Sequence, residues 1–335
     1  MTVTVPLGER SYEVIIEDGV LSRAGQHLDL NRKVLVVTDS GVPAAYAQAV
    51  AAQAKSPVIV TFPQGEESKT VPTWMTLLDA LVEHNFTRTD CVVAVGGGVV
   101  GDMSGFAAAA YLRGIDFYNI PTTVLAQVDS SVGGKVAVDY KGYKNLVGAF
   151  HQPKRVLIDP RVLSTLPPRQ ISAGLAEAVK MGLLFDPVLF SLFESDDYQD
   201  HIPEILFRSV SAKAEVVGQD ETESGLRRSL NFGHTVGHGV ETVSGYSLLH
   251  GECVALGMLP MCSPSVRERL LPVLARLDLP TSYRGDTEAV IEAMGHDKKR
   301  AGGSITLVRC DAVGSLRFET VPFETLAQEM REVLV

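Results

Sequence analysis

Two hydrophobic patterns alternate along the first half of the chain. Lys33–Thr38 (KVLVVT), Val58–Phe62 and Cys91–Val95 are short, continuous runs rich in β-branched residues, as expected of strands buried on both faces. Ile115–Ile120 and Val156–Ile158 continue the series, and stretches near Ala44–Ala54 and Pro72–Asn85 carry helical spacing between them. From Met1 to Gly19 apolar residues (Val3, Val5, Tyr12, Val14, Ile16) alternate with polar ones, which predicts strand and lacks the apolar core of a secretion signal. The pattern is that of an α/β domain, a parallel sheet flanked by helices. After Ser164-Thr165-Leu166-Pro167-Pro168 the texture becomes mainly helical, because a double proline breaks regular structure. Helices are expected over Ile171–Leu184, Ile202–Val217, Leu230–Ser244, Gly251–Met261, Val266–Leu277, Glu288–Met294 and Phe323–Leu334, with one late strand pair, Ser304–Arg309 and Ser315–Val321. The boundary is therefore placed near residue 167, giving domains 1–167 and 168–335.

Composition agrees with two folded domains: 335 residues at about 150 per domain, 45% hydrophobic and 21% charged, exclude disorder. The net charge of −10, from 30 Lys+Arg against 40 Asp+Glu, disfavours nucleic acid and anionic membranes as partners. A local basic pocket is compatible with that average. The longest apolar stretch, Cys91–Leu112, is interrupted by five glycines and Asp102 and is no membrane span. Cys91, Cys253, Cys262 and Cys310 lie far apart with no Cys-x-x-Cys pair, which fits reduced thiols in a cytoplasmic protein.

Candidate chemistry comes in four groups. Gly96-Gly97-Gly98-Val99-Val100-Gly101 matches G-x-G-x-x-G directly after a strand, with Asp102 next. Such a turn lets backbone N–H groups meet a pyrophosphate, although the usual dinucleotide fingerprint lies on the first strand–helix turn, and a plain tight turn remains the alternative. Asp39 at a strand end and Gly65-Glu66-Glu67-Ser68-Lys69 are candidate ribose and polar-loop contacts, or a helix cap and a solvated turn. In the second half Arg227, Asn231, His234 and His238 are spaced four, three and four apart, which places them on one face if the segment is helical throughout; Asn231 could instead be the N-cap. His250 follows closely, and the cluster favours a metal or proton-transfer site, while the absence of H-E-x-x-H argues against peptidase chemistry. Glu177 and Lys180, three apart among small apolar residues in AGLAEAVK, form either a surface ion pair or a carboxylate ligand beside a substrate-binding cation. Finally Asp129-Ser130-Ser131-Val132-Gly133-Gly134-Lys135, followed by Lys144-Asn145, suits a phosphate, with Arg113, Lys213 and Lys298-Lys299 as further basic candidates.

Taken together, GEESK, GGGVVGD, YLRG, PTTVLAQVDSSVGGK, AGLAEAVK, KAEVV, LNFGHTVGHGVE, LHGE and DKK resemble the sugar-phosphate cyclases over nearly the full chain, and most closely the 3-dehydroquinate synthase branch. The resemblance implies a Rossmann-like NAD-binding domain, a mainly α-helical metal- and substrate-binding domain, a site in the cleft between them, and a homodimer. It implies Glu177, His234 and His250 as ligands of one zinc or cobalt ion, which makes His238 a substrate contact. Lys135, Asn145, Lys180, Lys213, Arg227, Asn231 and Lys299 match substrate positions, and Arg113 matches an arginine supplied to the neighbouring subunit. Asp39, Glu66, Lys69, Gly97, Gly98, Asp102, Thr122, Thr123 and Lys144 match the NAD site, and Asp129 lies close to both cofactor and substrate. Lys135 is expected near the cofactor as well. The stretch Val138–Tyr143 departs from the family pattern. The implied reaction converts 3-deoxy-D-arabino-heptulosonate 7-phosphate, a phosphorylated sugar acid, to 3-dehydroquinate and phosphate, as a lyase using NAD catalytically. Alternatives are a cyclase of the 2-deoxy-scyllo-inosose or 2-epi-5-epi-valiolone synthase type, and a metal- and NAD-dependent polyol dehydrogenase.

Overall fold

The computed structural model describes residues 1–245, 247–298 and 303–334, with side chains 296–298 left aside. The chain divides into two compact units: Met1–Leu166 with Lys213–Thr222, and Pro167–Ala212 with Glu223–Val335. The short segment Lys213–Thr222 thus packs with the first unit although it comes after residue 167.

Unit 1 is built on β1 (Thr2–Val5), β2 (Tyr12–Ile16), β3 (Lys33–Asp39), β4 (Ser56–Phe62), β5 (Cys91–Gly96), β6 (Asp116–Pro121) and β9 (Arg155–Ile158), in the order β1-β2-β9-β6-β5-β3-β4. All neighbours are parallel except β1 and β2. The continuous Val-rich runs are the central strands: every residue of β5 is buried, because helices cover both faces. One core packs Val34, Val36, Val93 and Ile120 against Ala47 and Val50; the other packs Leu35, Val37, Val92 and Ala94 against Leu77, Leu81, Val100 and Met103.

A separate antiparallel hairpin, β7 (Lys135–Tyr140) and β8 (Tyr143–Phe150), has no counterpart in the sequence reading, which treats this stretch as a loop. The departure at Val138–Tyr143 is its turn: Lys141 (φ 50°) and Gly142 (φ 81°) make the two-residue connection whose twist suits a hairpin. Alternation fails as a signal here because β8 is exposed along nearly its whole length.

Unit 2 is mainly helical, with β10 (Ser304–Arg309) and β11 (Arg317–Pro322) as an antiparallel pair. Helices Pro168–Leu184 and His250–Met258 approach closely where Gly251 meets the backbone of Ala173; a Cβ at Gly251 would stand 1.7 Å from the Ala173 carbonyl oxygen. No rotamer relieves a clash with main chain. Gly251→Ala is expected to cost about 3 kcal/mol and to lower the melting temperature by several degrees in differential scanning calorimetry; a melt unchanged within a degree would contradict this packing. Among the described residues no helix is long and apolar enough to cross a membrane.

Candidate active site

In unit 2 the Pro167-Pro168 pair starts a helix, with Pro168 in the first turn, where its missing N–H costs no helical bond. From Ala173 to Leu184 this helix is entirely buried. Glu177 and Lys180 sit one turn apart on it, their side chains each 1% exposed, and they form an ion pair. Lys180 Nζ also donates to the Leu230 carbonyl at 2.9 Å. The sequence left a surface ion pair open; the structure removes that option. Burying two charges costs several kcal/mol per ion before pairing, so packing alone does not explain them.

Two imidazoles face this carboxylate. His234 Nδ1 lies 3.1 Å from the Phe232 carbonyl, which fixes the proton on Nδ1 and turns Nε2 toward Glu177 Oε1 at 3.4 Å. His250 Nε2 lies 3.6 Å from the same oxygen, and its Nδ1 faces Glu241 Oε2 at 3.5 Å. Apart from Lys180 and the two rings, the buried Glu177 oxygens have no partner among the described residues. Ligand atoms placed tetrahedrally at about 2.0–2.2 Å from a zinc-like ion are separated by about 3.4 Å. The two Nε2–Oε1 spacings, 3.4 and 3.6 Å, are close to that figure, so the residues present fit one divalent metal. The ring of His238 lies 5.4 and 5.8 Å from those of His234 and His250, and the three histidines bring nitrogens within 4.8 Å of one another. Two donor sets therefore share His234 and His250, one completed by Glu177 and one by the exposed His238.

Electrostatics separates these groups. Burial, reinforced by Lys180, pushes His234 down to about 3, leaving the neutral ring that a metal requires. For His250 burial is outweighed by Glu177 and Glu241, which lift it to about 9. Against the cost of burial, Lys180 and then His234 hold Glu177 well below the carboxylate range.

Glu241 and Glu252 are functional neighbours that the sequence reading missed. Glu252 Oε2 accepts the Leu249 N–H at 2.7 Å as a capping box, and both its oxygens take Arg169 at 2.7 Å, fixing the turn that delivers His250. The signal was present: Glu241 lies one turn after His238, and Glu252 stands at the third position after Leu249.

The single-helix stripe is corrected. Leu226–Asn231 is a separate 3-10 turn, Gly233 at φ 78° breaks the path, and the helix runs only over His234–Val243. Gly233, rather than Asn231, is the N-cap, since only a left-handed residue makes this corner. Arg227 is buried, whereas Asn231 is exposed and donates to Glu223 Oε1 at 2.9 Å. Asn231, His234 and His238 nonetheless line one cavity of about 180 Å³ together with Arg228, another residue missed. Lys299 lies outside the described residues.

Unit 1 holds the other candidates. Gly97 caps the helix Gly98–Ala110 with no side-chain bond, leaving first-turn N–H groups open to an anion. A Cβ at Gly97 would press on Thr123 at 3.1 Å, and one at Gly98 on Ser130 at 3.2 Å, so the turn is a cradle that side chains would fill. These residues fit a dinucleotide pyrophosphate. Thr122 is buried beside it, and Thr123 Oγ1 accepts the Ala126 N–H at 3.2 Å. Asp39 Oδ1 accepts the N–H groups of Gly41 and Val42 at 2.8 and 3.2 Å, holding the acid at the end of β3.

Lys69, buried, lies 2.6 Å from Asp102 Oδ2 and 3.9 Å from Glu66 Oε1 and donates to Asn145 Oδ1. Burial lifts Asp102 to about 6 despite Lys69. Lys213 Nζ donates to the Asp129 carbonyl at 2.6 Å and to its Oδ1 at 2.7 Å; Asp129 sits in a π-helical turn, Ala126–Ser130. Lys135 opens β7, and Lys144 and Asn145 lie exposed on β8. Arg113 is exposed and, like Leu112, left-handed (φ 68° and 50°), conformations that cost non-glycine residues energy and cluster at working sites.

Models described as 3-dehydroquinate synthase N-terminal and C-terminal match residues 59–173 and 174–300. The chain belongs to the 3-dehydroquinate synthase family. Relatives in the family agree over nearly the whole length: a 3-dehydroquinate synthase of Halorhodospira halophila is 46% identical over 332 residues, covering 93% of this chain and 94% of that one. One from Nostoc punctiforme is 42% identical, covering 99% and 98%. Among solved structures, a 2-deoxy-scyllo-inosose synthase complexed with carbaglucose-6-phosphate, NAD+ and Co2+ superposes with a TM-score of 0.88 at 27% identity, each chain covered completely. A probable glycerol dehydrogenase from Sinorhizobium meliloti, at TM-score 0.68 and 16% identity over 95% of each chain, shares the fold alone.

Proposed function

We propose that this chain converts 3-deoxy-D-arabino-heptulosonate 7-phosphate to 3-dehydroquinate and phosphate, as an NAD- and metal-dependent lyase. The observation that carries the reading is the pair of histidine Nε2 atoms converging on the buried Glu177 carboxylate, in a chain 46% identical to a 3-dehydroquinate synthase. When bound, NAD supplies a reversible hydride acceptor and the zinc or cobalt ion a Lewis acid for the substrate hydroxyls.

The chain's own residues do the rest. Glu177, His234 and His250 hold the metal, with the Phe232 carbonyl and Glu241 orienting the two rings. The Gly97-Gly98 turn, Thr122 and Thr123 hold the pyrophosphate. Asp39, Glu66, Lys69, Asp102 and Lys144 hold the remainder of NAD. Lys135, Asn145, Lys180, Lys213, Arg227, Asn231, His238 and Lys299 bind the substrate, whose carboxylate and phosphate call for this many cations and amides. Asp129 orients Lys213 through two hydrogen bonds. Phosphate leaves with its C–O electron pair as the neighbouring C–H gives up its proton, and the substrate's own phosphate oxygen, held by lysine, is the acceptor for that proton. Holding the reacting atoms in register contributes much of the rate.

We also propose a homodimer. Tyr143, Leu146 and Phe150 on β8 are 66%, 57% and 49% exposed and Leu112 is 40% exposed, apolar side chains suited to a second copy, with the left-handed Arg113 offered to the partner's site. A cyclase of the inosose or valiolone type is the second reading, favoured by the TM-score of 0.88. Its substrates lack a carboxylate, so phosphate release from a panel of phosphorylated sugars separates the two. Release from the sugar acid at least 100-fold faster than from glucose 6-phosphate is expected; the reverse order would overturn the assignment.

A further inference from the structure

The β7–β8 hairpin of unit 1 is out of step at one place. Val138 pairs with Val147 and Tyr140 with Tyr143, so Asp139 alone stands opposite Lys144, Asn145 and Leu146. A bulge of this kind takes its extra residues out of the ladder and re-aims their side chains, and bulges are frequent beside active sites. Asn145 occupies the middle of it at φ 55°, in the left-handed region that asparagine tolerates better than most residues.

Asp139 holds this bulge from two sides. Its main chain has left the hairpin ladder: the Asp139 N–H donates to the Lys69 carbonyl at 2.8 Å, and Asp139 forms a parallel bridge with Thr70. Its carboxylate reaches the other way, where Oδ1 accepts the Asn145 N–H at 2.8 Å. That bond takes up a donor which the interrupted ladder leaves over. Side chains close the ring, since Lys69 Nζ donates to Asn145 Oδ1. Lys69, Asp139 and Asn145 therefore fix one another.

The consequence lies at the amide of Asn145. An ammonium group only donates, so Lys69 takes the amide oxygen and leaves Nδ2 pointing elsewhere. Nδ2 makes no hydrogen bond among the described residues. With its backbone and its amide both set, Asn145 offers two N–H donors to an oxygen of a ligand. We infer that Asp139 is a positioning residue of the substrate site, locking Asn145 in the left-handed conformation that presents its amide N–H groups to the substrate. The inference rests on the proposed role of Asn145 as a substrate contact; Asp139 itself acts only through Asn145.

The test uses full-length, metal-loaded protein with NAD. Asp139→Ala should raise KM for 3-deoxy-D-arabino-heptulosonate 7-phosphate at least tenfold while kcat falls less than threefold, because a contact made equally in ground and transition states acts on KM. Asp139→Asn keeps an acceptor oxygen and should return KM to within threefold of the wild type. In an Asn145→Ala background, Asp139→Ala should add less than twofold. A further readout needs no substrate: exchange of the Asn145 backbone N–H, followed by NMR, should quicken at least fivefold in Asp139→Ala and stay near the wild-type rate in Asp139→Asn. Affinity for NAD, measured by calorimetry, should stay within twofold, because Lys69 keeps Asp102. An Asp139→Ala effect of equal size with and without Asn145, a KM rise shared by Asp139→Asn, or an unchanged exchange rate would overturn the proposal. Wild-type protein that releases no phosphate from the sugar acid would instead overturn the proposed function, and the exchange rates would still decide whether Asp139 holds Asn145.

Discussion

His250→Ala protein will emerge from purification with less than about a tenth of a divalent metal ion per chain, and phosphate release will fall at least 1,000-fold. His238→Ala will keep its metal and lose activity only. The two histidines are near neighbours, with rings 5.8 Å apart, so proximity does not separate them. Glu177 does: His250 Nε2 faces its Oε1 at 3.6 Å, as His234 does at 3.4 Å, and those spacings suit ligands of one ion. Removing one of three ligands from such a site removes most of its affinity, because two remaining contacts do not displace the ion's hydration. In the proposed ligand set His238, on the exposed side, contacts substrate instead of the ion. Elemental analysis decides the matter, and equal metal loss in both variants would assign the ion to the three histidines instead. Glu241→Gln, which leaves the ligands intact, should weaken metal binding by a milder 10- to 100-fold, as is usual for a partner of a ligating histidine.

Lys69→Met will destabilise unit 1 by about 3–5 kcal/mol at pH 8, the usual cost of stripping one partner from a buried ion pair. Lys69 is 5% exposed and Asp102 18%, and their contact is 2.6 Å. The loss should shrink in acid. Asp102 already stands at about 6 in the fold, above its ordinary 3.8, because burial disfavours its charge more than Lys69 restores it. Without the lysine it rises further. The folded state then holds a proton that the unfolded chain releases, so stability falls as pH rises through the folded value and recovers below it. Thermal melts of both proteins from pH 5 to pH 8 measure this, and Lys69→Met/Asp102→Asn should regain most of the loss. A deficit independent of pH would place the effect in lost side-chain packing rather than in the stranded carboxylate.

Much of the fold is legible from local patterns. The buried strands announce themselves because both faces are covered, so Val34–Val37 and Val92–Val95 read as unbroken apolar runs. The β7–β8 hairpin escapes because its outer strand buries almost nothing, and periodicity reports burial rather than hydrogen bonding. The site divides in the same way. Spacing alone pairs His234 with His238, four apart on one helix, and extends the stripe back to Arg227. It cannot see that Gly233 turns the chain, nor that Glu177, on a different helix, closes the cluster. The small apolar surroundings of Glu177 leave a ligand and a surface ion pair both open, the family resemblance chooses the ligand, and its burial against two imidazoles gives that choice a physical reason. Lys69 offers the opposite lesson: in the sequence it is one charge in a polar loop, and folded it is the buried centre joining Asp102, Glu66 and Asn145.

The most direct test of the central claim is a stoichiometry. Metal-loaded protein with NAD and 3-deoxy-D-arabino-heptulosonate 7-phosphate is followed simultaneously for inorganic phosphate, for 3-dehydroquinate and for absorbance of NADH. The expected result is one phosphate and one 3-dehydroquinate per substrate consumed, no accumulation of NADH beyond the amount of enzyme, and arrest of all three signals by a chelator. One NADH formed per substrate consumed, with phosphate still attached to the product, would contradict the cyclase assignment and identify a dehydrogenase.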